Sequence, residues 1–536
     1  MVLSELNPKL VWQYFEQLTN VPRESKHEEK VIAFMLDFAK KHNLEVKKDQ
    51  AGNVLIKKPA TKGLENLKSV IFQAHLDMVC TANKDVKINF ANDPIQAYID
   101  GEWVKAKGTS LGADDGIGVA MMMSILTDNN IQHGPIECLF TVDEETGLTG
   151  AFALESEFFD SKILINLDSE EEGEIYIGCA GGIDVTAYIN YYLEKVPSDS
   201  VAFKFIVNGL KGGHSGDEIH KGLGNANKIA NRFLYKINNE FCARLSDFDG
   251  GDRHNAIPRF ADFTFTIKKE FVDDLKNCFK IFVEQIKNEF GSLETNLNIE
   301  LQECKMPNAV MDYWNQNNLI SSLYICPNGV YAMSLDIPGL TETSNNLATV
   351  KFKDKEGNLF ATYKNEDFDE EFDKEIDKAA LEQNKEDIND FDFAGYCFDT
   401  KGKLKKHSIK ITTSQRSSIE SGKEDINNMV AIAFQNNNGL TTSGDGYPGW
   451  KPNPNSEILK IAKDCYNKLF DKEPLVKAIH AGLECGLFLE KYKDLDMISV
   501  GPTLKGVHSP DEKIEIKTVQ MCYDHILEIL KNIPKK

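Results

Sequence analysis

The sequence predicts an α/β domain, a mostly parallel central sheet with helices on both faces, interrupted by an inserted α+β domain. Three observations carry this. Short apolar runs alternate with amphipathic helical patterns over residues 1–183, the mark of parallel strands joined by crossover helices. The patterning then changes to strands with one polar face and long amphipathic helices, and the first style resumes near residue 447. At 536 residues the chain also exceeds what one core ordinarily supports. We therefore expect a first domain made of 1–183 and 447–536, with 184–446 inserted into it.

Taken in order, "NPKLVWQYFEQL" reads as a first helix, with Asn7 as its cap and Pro8 at its start. A second follows "SKHEEKVIAFMLDFAKKHN", where Ser25 and Glu28 match a capping box and Val31, Ile32, Met35 and Phe38 share a face. Strands "NVLIKK", "SVIFQAHLD", "IECLFTVDE", "KILINLD" and "EIYIGCAGG" follow, with a helix from about Gly116 through "GVAMMMSIL". Ligands of such sheets gather at the carboxyl ends of the strands. In the inserted part, "AFKFIVNGL" and "DFTFTIKK" alternate as half-exposed strands, and "FVDDLKNCFKIFVEQIKNEF" is a long amphipathic helix. A terminal helix is expected over "TVQMCYDHILEILKNI".

Composition narrows the function by exclusion. Acids outnumber bases 83 to 61, so no basic surplus is available to displace counterions from phosphates, and nucleic acid is not an expected partner. No run of eighteen apolar residues and no cleavable leader pattern appears, so no membrane association is expected and a cytoplasmic location is. The eleven cysteines are scattered without a C-x-x-C pair, which argues against disulfides and structural zinc fingers. One densely acidic stretch, 366–392 within an apparent insertion near 351–405, reads as a solvated segment, with a docking surface for a basic partner as the alternative.

The chemistry is concentrated where apolar strands end in charge. "FQAHLDMV" offers His75 and Asp77, "SLGADDGIG" offers Asp114 and Asp115, "TVDEETG" offers Glu144 and Glu145, and "LINLDSEEEG" offers Asp168. Near the C-terminus, "GPTLKGVHSPDE" adds His508. Each motif alone has a plain structural explanation: a hydrogen-bonded core histidine, a turn, a solvated acid pair. Together they would require several buried unpaired charges, each costing several kcal/mol, unless a cation neutralises them. Imidazole nitrogens mixed with carboxylate oxygens suit zinc, with manganese or cobalt also able to fit. A Ser-His nucleophile at His214 and Ser215 is set aside, because no nucleophile elbow or third partner accompanies it.

These same motifs, with "GGHSGDEIHKGLGNANK", "RHNAIPR" and "HAGLECGLF" in order between them, resemble the metallopeptidase family of aminoacylases, carnosinases and glutamate carboxypeptidases, in particular its aminoacyl-histidine dipeptidase group, over nearly the whole chain. The resemblance implies a zinc-peptidase catalytic domain with an inserted lid and dimerisation domain, two Zn²⁺ ions per subunit and a homodimer. It implies His75 and Asp168 on one ion, Glu145 and His508 on the other, Asp114 bridging them, and a cis peptide after Asp114. It makes Glu144 the general base and Asp77 the carboxylate that orients His75. If Glu144 and Glu145 lie on extended backbone, their side chains point apart, which would suit those separate tasks. The resemblance further implies His214, reaching in from the other subunit, as a group that polarises the scissile carbonyl, Arg416 and Asn255 as contacts to the substrate carboxylate or carbonyl, and His480 and Glu484 as cleft residues. The implied activity is hydrolysis of unblocked dipeptides, of Xaa-His or β-alanyl-histidine type. A tripeptidase or N-acyl amino acid deacylase is the alternative within the family, and an inactive metal-binding scaffold is the alternative outside enzymes. The chain departs from the family chiefly in its acidic insertion.

Overall fold

The computed structural model describes residues 3–364, 397 and 404–536. The acidic stretch 366–392 lies outside them. The chain divides into two compact units, Met1–Ala180 with Pro448–Lys536, and Gly181–Tyr447.

The first unit is built on an eight-stranded sheet in the order Glu45–Lys48, Val54–Lys58, Ile136–Thr141, Val70–His75, Ile163–Asn166, Asp496–Ser499, Glu174–Cys179, Leu475–Ile479. Its centre is parallel: Val70–His75 runs with both Ile136–Thr141 and Ile163–Asn166, and Asp496–Ser499 runs with Ile163–Asn166. An antiparallel hairpin forms one edge, so the sheet is mixed rather than uniformly parallel. Every residue of Val70–His75 and Ile136–Thr141 is buried, which is why these strands read as near-continuous apolar runs, interrupted by Gln73 and Glu137, instead of alternating ones. Helix Ala113–Thr127 is likewise buried nearly all round and carries no polar stripe. The chain thus aligns the carboxyl ends of Val70–His75, Ile136–Thr141 and Ile163–Asn166 side by side.

Two local expectations fail at the N-terminus. Helix Lys9–Leu18 begins after Pro8 with no side-chain cap, and Asn7 contributes its carbonyl, which accepts from Trp12 Nε1 at 3.1 Å. Helix Glu29–Lys41 has no capping box either. The Ser25 hydroxyl donates to Asp77 Oδ2 at 2.8 Å, and Glu28 Oε1 accepts the backbone N–H of Lys26 at 2.8 Å and of Asp143 at 3.0 Å. A buried carboxylate and a buried N–H from remote segments take the groups that the local pattern would have used.

The second unit carries a ten-stranded sheet whose long strand Gly181–Glu194 pairs antiparallel with Lys406–Ser417 from Gly181 opposite Ser417 to Tyr192 opposite Lys406. Helices Ala226–Phe241, Val272–Phe290, Tyr313–Ile325 and Glu420–Gln435 supply apolar faces to its core. Phe205 anchors that core, with ring centroids 4.8 Å from Phe233 and 5.0 Å from Phe263. All eleven cysteines are free. No helix among the described residues is long and apolar enough to cross a membrane.

Candidate metal centre

Four side chains from four other segments of the first unit gather around Asp114. Its Oδ1 lies 3.0 Å from His75 Nε2, which is also 3.4 Å from Asp168 Oδ1. Its Oδ2 lies 3.1 Å from His508 Nε2, which is 2.9 Å from Glu145 Oε2. One carboxylate therefore faces two imidazole–carboxylate pairs, each through a different oxygen. His75, Asp114 and Glu145 present ligand atoms that all lie within 4.8 Å of one another.

The electrostatics of this cluster favour a cation. Burial opposes the charged form of Asp114, yet hydrogen bonds from His508 and His75 outweigh it and hold the carboxyl well below its usual range. The same contacts push His508 up to about 11, and the surrounding acids hold His75 well above an ordinary histidine against the opposing effect of burial. Burial pushes Asp168 up to about 7, and it drives Glu144 well above the usual carboxylate range with Asp168, Glu145 and Glu484 adding to the effect. Protons on two imidazoles are thus what the acids use for compensation. Divalent cations would replace those protons. A direct fit test is Glu145 Oε1, a buried oxygen without a hydrogen-bond partner among the described residues. With a nitrogen and oxygen donor set around it, that orphan acceptor fits a divalent ion of the zinc or manganese kind.

Placement differs from the sequence reading in two respects. Asp114 and Asp115 do not end a strand; they open helix Ala113–Thr127, with non-helical backbone at both residues and a cis peptide between them. Glu144 and Glu145 are not on extended backbone. Asp143 has a left-handed φ of 50°, and the chain turns so that Leu148 N–H reaches the Glu144 carbonyl at 3.0 Å. Both glutamate N–H groups consequently point at one acceptor: Asp77 Oδ1 takes Glu144 at 3.1 Å and Oδ2 takes Glu145 at 3.3 Å. Asp77 Oδ1 also stands 3.4 Å from His75 Nδ1, so one buried carboxylate steadies the imidazole and the turn together.

Sequence reasoning missed the residues that hold Asp114 itself. Glu512 accepts four consecutive backbone N–H groups, from Leu111 at 2.7 Å, Gly112 at 3.0 Å, Ala113 at 2.7 Å and Asp114 at 3.3 Å. The buried Arg23 guanidinium donates to the carbonyls of Leu76 at 3.1 Å, Asp77 at 2.8 Å and Gly112. The only hint in the chain is that Glu512 follows His508 in "VHSPDE".

The remaining candidates fall as follows. His480 is buried just past strand Leu475–Ile479, and Glu484 opens helix Glu484–Lys491, both in the first unit. In the second unit, His214 sits on the short strand Gly213–His214 paired with Ala256–Ile257, and the Asn255 carbonyl accepts Ser215 N–H at 2.9 Å, so His214 and Asn255 are neighbours. Arg416 is buried on Lys406–Ser417 and donates to the Tyr447 hydroxyl at 2.8 Å.

Three comparisons bear on this geometry. Residues 71–532 match the family model described as peptidase family M20/M25/M40. The chain is 41% identical to the cytosol non-specific dipeptidase of Escherichia coli (strain K12), over all of this chain and 99% of that protein. Among solved structures, aminoacylhistidine dipeptidase from Vibrio alginolyticus superposes with a TM-score of 0.85 at 40% identity, covering all of this chain and 98% of that one. Aminopeptidase PepT from Bacillus cereus follows the same fold with a TM-score of 0.53 at 17% identity, over 98% of this chain and 99% of that one.

Proposed function

The chain belongs to peptidase family M20/M25/M40, and on that premise we propose that it is a dipeptidase that hydrolyses unblocked dipeptides at a centre of two divalent cations. Zinc is the ion we assign, with manganese or cobalt able to replace it. His75 and Asp168 would hold one ion, Glu145 and His508 the other, and Asp114 both. The observation that carries this reading is the division of the two Asp114 oxygens between His75 and His508. The names of the relatives from Escherichia coli and Vibrio alginolyticus support the dipeptide class, and together they favour a broad specificity that includes histidine at the second position.

What such cations supply when bound is Lewis acidity toward a carbonyl oxygen and a lowered pKa for water. Glu144 takes a proton from the attacking water and hands it to the departing amine, a role worth about 10²–10⁴-fold. Its burial supports that role, because a carboxyl raised above its usual range is a stronger proton acceptor than an exposed one. Asp77 fixes where Glu144 and Glu145 can stand by gripping both of their N–H groups. His480 we assign to the substrate pocket, with His214, Asn255 and Arg416 of the inserted unit as substrate contacts; Arg suits a carboxylate through its two-pronged geometry. A homodimer, a lid role for the inserted unit and a cytoplasmic location complete the reading.

The test is a metal-to-protein ratio on protein purified without chelator, paired with hydrolysis of free dipeptides, N-acetylated dipeptides and tripeptides. A ratio near two with preference for free dipeptides is expected. Glu144→Gln should keep that ratio and lose at least about 100-fold in kcat; near wild-type turnover with metal retained would remove Glu144 from the mechanism.

A further inference from the structure

A buried acid of the second unit spends both of its oxygens on backbone. Glu294, in the turn after helix Val272–Phe290, is 1% exposed. Its Oε2 accepts Lys211 N–H at 2.7 Å and its Oε1 accepts Gly224 N–H at 2.9 Å. Burying a carboxylate is costly unless hydrogen bonds replace its water, and bonds to a charged acceptor are about twice as strong as neutral ones. A carboxylate alone offers an acceptor at each tip; glutamine would turn an amide N–H toward one of the two donors.

The two donors are the ends of one loop, 211–224, which carries His214. Just before it, Gly209 has a left-handed φ of 74°, and a Cβ there would stand 2.0 Å from the Asn296 carbonyl oxygen, so the chain enters the loop against the same turn. Glu294 is itself held in that turn: its N–H donates to the Phe290 carbonyl at 2.7 Å, and its carbonyl accepts Leu297 N–H at 3.0 Å. Both ends of the loop are therefore tied to one fixed point.

Between those ends the loop is wired to aim one imidazole. Glu218 Oε2 accepts His214 N–H at 2.9 Å, and Gly213 and His214 pair with Ile257 and Ala256. The Ala256 carbonyl also accepts from Nδ2 of the fully buried Asn346 at 2.8 Å. His214 Nδ1 accepts Asp217 N–H at 3.2 Å, while the Asp217 carboxylate, at 3.5 Å, is too far from that nitrogen to compete. A neutral imidazole that accepts at Nδ1 carries its proton on Nε2. The loop thus presents Nε2–H as a donor, the form that a carbonyl oxygen requires.

We propose that Glu294 is a positioning residue for His214: by joining both ends of the loop it fixes where the Nε2–H donor stands, and so sets kcat from outside the site. This rests on the assignment of His214 as the substrate contact that polarises the scissile carbonyl. The role asks no contact of Glu294 with substrate or ion; it acts through the loop.

The test is a double-mutant cycle in the metal-loaded, full-length protein with a free dipeptide as substrate. Glu294→Gln keeps the volume and gives up one acceptor. It should lower kcat by about 10- to 100-fold, with KM changed by less than about twofold and the metal-to-protein ratio at the wild-type value, since displacing a positioned group by about 1 Å can cost 100-fold. His214→Ala should lower kcat by about 100- to 1,000-fold, as loss of a donor to a developing oxyanion does. In the His214→Ala background, Glu294→Gln should then cost less than about twofold, a result that general damage to the fold does not give. Glu294→Asp, which keeps both acceptors on a shorter stem, should fall between wild type and Glu294→Gln, and it carries the same comparison should the glutamine variant fold poorly. An unchanged kcat in folded, metal-loaded Glu294→Gln protein overturns the proposal, as does an equal loss with and without the His214 side chain. An undiminished kcat in His214→Ala would instead overturn the assignment of His214, and this inference would fall with it.

Discussion

Two acidic clusters in the first unit share neighbouring residues and yet are opposites. Glu28, Asp77 and Asp143 lie together and are all buried, as compact a set of oxygen donors as His75, Asp114 and Glu145. In the first set the oxygens are already claimed by the chain: Glu28 by the N–H groups of Lys26 and Asp143, Asp77 by Ser25 and the two glutamate N–H groups, Asp143 by the hydroxyls of Thr146 and Thr149. In the second set the partners are imidazoles, and Glu145 Oε1 has none among the described residues. Proximity of acids does not make a metal site. Acceptors left over after the backbone has been satisfied do.

That contrast can be broken or sharpened by substitution. Asp114→Asn should have the largest effect, because it disturbs both imidazole pairs at once; elemental analysis should show the metal ratio falling toward zero, and hydrolysis should drop at least about a thousandfold. Chelation comes next: stripping the wild-type protein should lower its melting temperature, since saturation at about 100 times Kd is worth roughly 2.7 kcal/mol, while Asp114→Asn should melt at one temperature with or without chelator. Asp77→Asn alters a member of the first cluster that touches the second through His75 and the Glu145 N–H. It puts an amide N–H against the N–H groups of the glutamate turn, and competition with a metal indicator should show affinity weakened about 10- to 100-fold, as for other groups that orient a ligand. Glu28→Gln should have the smallest functional effect, lowering unfolding free energy by about 1–3 kcal/mol in denaturant titrations while leaving metal content and KM unchanged. If Glu28→Gln strips the metal, the two clusters are one, and the distinction fails.

Much of the architecture was legible because burial leaves a simple trace. Apart from Gln73 and Glu137, Val70–His75 and Ile136–Thr141 are apolar up to their last residues, so a strand and its functional end could be read from a dozen letters. Asp114 was found as a residue but misplaced as an element, since a buried helix such as Ala113–Thr127 shows no periodicity to distinguish it from a strand region. The turn at Glu144 was missed because its cause is Asp77, about 67 positions away in sequence. The same explanation covers the false capping box at Ser25 and Glu28. Arg23 and Glu512 act on backbone N–H and carbonyl groups, which every residue carries and no side-chain pattern advertises. The family resemblance, by contrast, rested on motifs that span both ends of the chain, and the family match confirms it.

The bond between Glu512 and the N–H of Gly112 joins positions 400 residues apart, and His508 meets Asp114 across 394. A ribosome adding roughly 5–20 residues per second therefore finishes the acidic half of the centre on the order of 20 to 80 seconds before its closing pieces emerge. During that interval the nascent chain displays Asp114 and Glu145 without His508 and without the clamp that fixes the loop. On the proposed reading, capture of the ion assigned to Glu145 and His508 is consequently a late event in biogenesis, and a polypeptide halted before residue 508 would carry Asp114 and Glu145 without the imidazole that faces them.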